Sequence, residues 1–218
     1  MNKKTYYQLI LDQSGSMTSC ADETISGFNE QLQMINDLQR LHTDQQILVS
    51  LTTFNHFVHH PVCCTSADRV QPLSPQNYRP DGSTALYDAI GESVLSLKAQ
   101  AGEELDNDLA SVVVIILTDG YENASKLFNL RQVRNMVREL EDTGKWTFSF
   151  LGADMDALTQ AEELNIRREN AASYSKEQTE SAFRSLNKSL ENYIKSKDEG
   201  SISKDFLQKK DRDSEKLF

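Results

Sequence analysis

The run from Ser111 to Thr118, Ser-Val-Val-Val-Ile-Ile-Leu-Thr, constrains the fold of this chain more than any other stretch. Its six consecutive aliphatic side chains leave no polar face for water. Branching at Cβ favours an extended backbone. A strand that is apolar on both sides must be covered on both sides, as in the middle of a parallel sheet. Asp119-Gly120 ends the run abruptly. A second apolar strand, beginning at Tyr6, runs into Asp12 in the same way and opens on a loop of hydroxyl side chains. Helical periods separate the strands, so the chain reads as an α/β protein with a doubly wound, mostly parallel sheet and helices on both faces.

Apolar residues recur at helical spacing from Ile25 to Leu41, predicting a first long helix. Gln46 to Phe54 alternates as a strand, and Asn55-His56 predicts a turn into Phe57 to Val62, an edge hairpin closed by Pro61. Residues 65 to 83 carry three of the four prolines and are expected to form a long loop. Ala85 to Leu97 predicts the second helix and 101 to 108 an acidic, solvated connection. After the central strand come a helix over Asn129 to Leu140, a strand over Trp146 to Leu151 and a short helix over 156 to 164. A short strand at Ala171 to Tyr174 and a final helix over Gln178 to Ile194 complete the ordered part. Residues 1 to 195 are expected to be one domain. From Ser196 onward the chain mixes Lys, Asp, Glu and Ser, so 196 to 218 reads as a mobile polar tail with Phe206, Leu207, Leu217 and Phe218 as isolated apolar residues, docking of the tail being the minor alternative.

Two places could hold a metal. Asp12, Ser14 and Ser16 are spaced two apart, which on an extended or gently turning backbone points all three to one side. Gly15 between the serines is expected to supply the backbone freedom that tightens such a loop. One carboxylate with two hydroxyls suits a small hard cation, Mg²⁺ or Mn²⁺; the alternative is a polar loop that happens to be rich in serine. The second place is the hairpin, with His56, His59, His60, Cys63 and Cys64. On a strand His59 and His60 point to opposite faces, as do the two cysteines, so four convergent ligands are not expected there.

The Asp12-x-Ser14-x-Ser16 loop combines with Asp81-Gly82-Ser83-Thr84, at the head of a helix, and with Asp119 at the end of a hydrophobic strand. This constellation resembles the metal-ion-dependent adhesion site of the von Willebrand factor A domain family, in its stand-alone, intracellular bacterial type. The resemblance spans about Thr5 to Ile194. It implies a six-stranded, Rossmann-like sheet with one antiparallel edge strand. It also implies a divalent cation held directly by Ser14 and Ser16, joined by Thr84 in the ligand-occupied form. Asp12 and Asp119 would then act through water or by bonding the hydroxyls, with Glu122 and Asn123 on the rim; Glu122 otherwise reads as a solvated surface charge. Neutral hydroxyls quench little of a cation's charge, so the metal keeps affinity for one more anionic oxygen. The expected function is therefore capture of an Asp or Glu from a protein partner, supplied in trans because the motif begins at residue 12 with nothing else attached.

An enzyme is the alternative. Haloacid-dehalogenase-type phosphatases also place an Asp after the first strand of a similar sheet, and Asp12 could be imagined as a phosphorylated nucleophile. Those enzymes carry a second Asp two residues on, where this chain has Ser14. A vestigial structural module is a third reading, opposed by the intact motif. The resemblance further suggests that the final helix yields when a ligand draws Thr84 onto the metal, since no later element is expected to pin it. The competing expectation is that Phe183, Leu186 and Leu190 merely close the core.

The net charge of −10 argues against nucleic acid and anionic membranes as partners. No run is long enough to span a bilayer or to serve as a secretory signal. Three cysteines, two of them adjacent, read as reduced thiols. A cytoplasmic location is the resulting expectation.

Overall fold

Burial of the central strand on both faces organises the fold. The structure is a computed structural model describing residues 4–207. Six strands, β1 (Lys4–Asp12), β2 (Gln46–Phe54), β3 (Val58–Ser66), β4 (Ala110–Thr118), β5 (Trp146–Ala153) and β6 (Ala171–Tyr174), form one sheet in the order β3-β2-β1-β4-β5-β6. All neighbours run parallel except β3, which pairs antiparallel with β2 at one edge. Every residue of β4 is buried. Val113, Ile115 and Leu117 enter one core with Phe28 and Leu32 of α1 (Ala21–Leu41) and Phe183 and Leu186 of α5 (Thr179–Asp198). Val112, Val114 and Ile116 enter the other core, with side chains of α2 (Leu86–Asp106), α3 (Leu130–Asp142) and α4 (Ala157–Glu163). Among the described residues no helix is long and apolar enough to cross a membrane.

On the first face α1 and α5 pack closely because Gly27 has no side chain. A Cβ there would lie 2.2 Å from Cδ2 and 2.9 Å from Cβ of Phe183. The ring therefore rests directly on the backbone of α1.

Several boundaries depart from the sequence reading. The first helix begins four residues earlier than expected, at Ala21, after a 3₁₀ turn over Gly15–Cys20. The expected acidic loop at 101 to 108 is instead mostly helix, because Ala101 and Leu105 extend the stripe of Leu97 at four-residue spacing and are buried. Glu104 in that turn pairs with Lys4 and accepts from the Tyr6 hydroxyl. The edge strand runs on to Ser66, past the expected end at Val62; register shifts between Val49, Leu51 and Thr53 absorb the missing donor of the exposed Pro61. His60 turns toward α2: its Nε2 lies 3.6 Å from Glu92 Oε2, while its Nδ1 lies 3.0 Å from Thr52 Oγ1 of β2. Among the described residues no three His, Cys, Asp or Glu side chains converge as metal ligands, so the hairpin cluster forms no such site.

Part of the tail, read as mobile or docked, is packed where it is described. The last helix continues to Asp198, and the segment after it folds back so that Phe206 and Leu207 are buried. The Phe206 ring packs 5.9 Å from that of Tyr193 and 6.4 Å from that of Tyr7. Fully buried Asn170 donates to Lys204 O at 2.8 Å and accepts from Phe206 N at 2.7 Å. A later element thus does hold the final helix, because a large ring over the sheet gains more by burial than the polar segment loses in freedom. Leu217 and Phe218 lie outside the described residues.

Candidate metal centre

Parallel strands β1 and β4 are neighbours, yet the chain leaves them to opposite sides of the sheet. At this point the order of winding reverses and the carboxyl ends of the strands part, leaving a crevice where open α/β sheets bind ligands. Asp12 ends β1, and Asp119 follows Thr118, the last residue of β4. Both carboxylates come to this crevice for a reason already present in the strand pattern.

Asp12 is fully buried, and protein donors hold both of its oxygens. Oδ1 accepts from the backbone N of Ser14 at 2.7 Å and Oδ2 from the Thr118 hydroxyl. Burial pushes the Asp12 carboxyl up to about 6, with the Thr118 and Ser14 bonds pulling the other way. Tyr78 closes the floor, its hydroxyl donating to the carbonyl of Asp12. Ser14 Oγ lies 3.1 Å from Ser16 Oγ, and Ser16 Oγ donates to Asp119 Oδ1 at 2.6 Å. The two serines and the two aspartates are therefore one connected set.

Thr84 arrives from the other side and is clamped by the loop after β4. Its N donates to Asn123 Oδ1 at 2.9 Å, and its carbonyl accepts from Asn123 N and Ala124 N at 3.0 and 3.2 Å. Its hydroxyl faces the same space as Ser16: a Cβ at Gly120 would lie 3.0 Å from Thr84 Oγ1 and 3.8 Å from Ser16 Oγ. Glycine at 120 keeps that space open. The loops are stitched by backbone bonds, Gly15 N to Gly82 O at 3.0 Å and Asp81 N to Gln13 O at 2.9 Å. Gly82, not Gly15, takes the left-handed angle, with φ +75°; the tight bend falls where the arriving loop turns, under the ring of His56.

The rim differs from expectation in one respect. Glu122 is no solvated surface charge: it accepts from the N of Tyr87, Ala124 and Ser125 and from the Ser125 hydroxyl. Asp88 accepts from the N of Lys126, Leu127 and Phe128. These two carboxylates fold the loop that carries Asn123, and so place Thr84. Sequence reasoning missed Asp88, Thr118 and Tyr78. An Asp three residues into a helix, ahead of a stretch rich in Asn, Ser and Lys, was the available signal for the first.

It also missed Lys176, for which the sequence carries no signal. The Lys176 ammonium stands 2.7 Å from Asp119 Oδ2, an ion pair by distance though poorly aligned as a hydrogen bond, and donates to the carbonyl of Ser16 at 3.0 Å. Neutral hydroxyls and carboxylate oxygens, with no sulfur and no imidazole, are the donors that hard divalent cations take. The residues gathered here fit such an ion.

Fold and site together define a class: a doubly wound α/β domain with a hydroxyl-rich site at its switch point. The von Willebrand factor type A domain matches residues 8–196, and the chain belongs to that family. No curated protein matches it. Among solved structures, the vWF domain of the type V pili tip protein Mfa5 from Porphyromonas gingivalis is similar at TM-score 0.64 and 9% identity, over 97% of this chain and 98% of that one. The pilus adhesin SpaC from Lactobacillus rhamnosus GG has TM-score 0.68 and 14% identity, over 88% of this chain and 30% of that one. Proximal thread matrix protein 1 of the mussel byssus, with a zinc-occupied MIDAS motif (the metal-ion-dependent adhesion site), has TM-score 0.55 and 17% identity, over 88% of this chain. This chain spans 45% of the length of that mussel protein.

Proposed function

We propose that this domain binds a protein partner through a divalent cation held at Ser14, Ser16 and Thr84. Asp12 and Asp119 orient the hydroxyls, and the partner contributes a carboxylate. The observation that carries the reading is the convergence of these five side chains, from three separate loops, on one crevice with Gly120 left open beside it. When bound, the cation supplies Lewis acidity toward the incoming oxygen. The chain's own groups position it: Thr118 and the Ser14 amide hold Asp12, and Asn123 holds Thr84. The zinc-occupied MIDAS motif of the mussel protein supports a cation at the corresponding place. Phe57 and Tyr121, 60% and 55% exposed, stand on loops at the same edge of the sheet and suit a protein partner rather than a small anion.

Phosphotransfer from Asp12 has the geometry against it. Both oxygens are occupied by protein donors, the side chain is buried, and Ser14 stands where an acid/base would be needed. We therefore read the domain as acting by binding.

Isothermal titration of Mg²⁺ and of Mn²⁺ into wild type and Ser14→Ala tests the centre. Wild type is expected to bind one ion and the variant to bind it at least about ten-fold more weakly, as loss of a direct ligand implies. Equal binding by the two proteins refutes the assignment. A pull-down with Mg²⁺, repeated with EDTA, then asks for the partner.

A further inference from the structure

The five positions of the adhesion-site pattern leave one charged group at the centre unexplained. Lys176 sits on a 3₁₀ turn, Lys176–Gln178, immediately before α5. Its ammonium reaches back to two other elements at once: the buried Asp119 carboxylate after β4, and the carbonyl of Ser16 in the turn after β1. Both Asp119 oxygens have a neighbour as a result: Oδ1 accepts from Ser16, and Oδ2 faces the ammonium as an ion pair without an aligned hydrogen bond. The Asp119 side chain is 0% exposed, so it cannot turn outward to find another partner.

We propose that Lys176 is a sixth member of the site, an internal cation on Asp119 that a divalent ion must displace. The inference rests on the metal-centre reading above. Two like charges cannot share one small cavity without a cost that grows as water is excluded. A divalent ion that draws on Asp119, directly or through a bound water, needs the oxygen that Lys176 holds. Lys176 thus lowers the affinity of the site for metal, and the bound metal releases Lys176.

The release is transmitted because the tether is short. The Thr179 hydroxyl donates to the carbonyl of Lys176 at 2.6 Å, and Gln178 N donates to Ser175 O at 2.8 Å, so the turn is a bonded unit with the first turn of α5. Freeing the ammonium removes the two contacts, to Asp119 and to the Ser16 carbonyl, by which Lys176 ties that turn to the crevice. The start of α5, rather than the whole helix, is the part that responds, because Phe206 and Asn170 hold its far end.

The test uses the full chain with Mn²⁺ alone as probe. Titration into wild type, Lys176→Met and Lys176→Arg is expected to show about ten-fold tighter binding by the methionine variant and wild-type-like binding by the arginine variant. Hydrogen exchange over residues 175 to 183 reads the coupling. Mn²⁺ is expected to speed exchange there in wild type and to leave it unchanged in Lys176→Met. Equal or weaker Mn²⁺ binding by Lys176→Met, with wild type binding normally, overturns the role of Lys176 and leaves the centre standing. Absence of binding in all three proteins overturns the centre, and the inference with it.

Discussion

A pair of glycine substitutions tests the packing on which the domain depends. Gly27 and Gly102 both lie inside helices, so replacing either by alanine gives the same local gain, about 0.5–1 kcal/mol, from lower backbone entropy in the unfolded chain and better helix propensity. Tertiary contacts then separate them. A Cβ at Gly102 meets nothing within 4 Å, so the gain stands and Gly102→Ala is expected to stabilise. A Cβ at Gly27 would lie 2.2, 2.5 and 2.9 Å from Cδ2, Cγ and Cβ of Phe183. Rotating the ring relieves the first two contacts. The third is with an atom fixed to the backbone, so α5 itself must move away from α1 by several tenths of an ångström. Overpacking of this kind costs about 1–3 kcal/mol, which leaves Gly27→Ala destabilised by roughly 0–2.5 kcal/mol, centred near 1, after the local gain. Urea unfolding followed by circular dichroism measures both variants, with the slope checked for constancy. Opposite signs are the expected outcome. A Gly27→Ala protein as stable as Gly102→Ala would refute the close approach of α1 and α5.

Phe206→Ala is expected to lose about 2–3 kcal/mol, less than the 3–5 of a central Phe because the segment after α5 can undock locally. Faster exchange confined to 190 to 198 marks that undocking, and an unchanged urea midpoint would deny that Phe206 is packed. Lys197 is buried and donates to Lys4 O, Thr5 Oγ1 and Ser111 Oγ, and burial pushes its ammonium from 10.5 down to about 7. Above pH 7 the unfolded chain keeps a proton that the folded protein sheds, so stability rises with pH, by about 1.5 kcal/mol between pH 7 and 8.5. Lys197→Met should flatten that rise, and an equal slope in both proteins would sink the argument. Finally, an activated phosphate ester at saturating Mg²⁺ should show no turnover above that of Asp12→Asn; a rate lost in that variant would restore the enzyme reading.

Much of this protein was legible in one dimension because its signals are local and strong. The Ser111 to Thr118 run could only be a strand covered on both faces, and the alternation of strands with helical stripes implied the doubly wound sheet. Asp12, Ser14 and Ser16 share a side of the loop by spacing alone, and a carboxylate at the end of a buried parallel strand falls at the ligand-binding edge by topology. Where prediction slipped, weak local signals had been overruled by burial. Glu103, Glu104 and Asp106 look like a solvated loop, but Leu97, Ala101 and Leu105 keep the helix running beneath them. Phe206 looks like a stray apolar residue in a polar tail until Tyr7 and Tyr193 provide a surface for it.

Tertiary structure alone decided the electrostatic setting of the centre. Glu122 and Lys176 are ordinary surface charges in sequence. Folding satisfies one with four donors and brings the other's ammonium, from 57 positions away, onto Asp119. A side chain's intrinsic chemistry is local, whereas its charge partners are chosen by the long-range pairing of strands and the packing of helices. For that reason the oxygens of this site were visible in the sequence and the cation beside them was not.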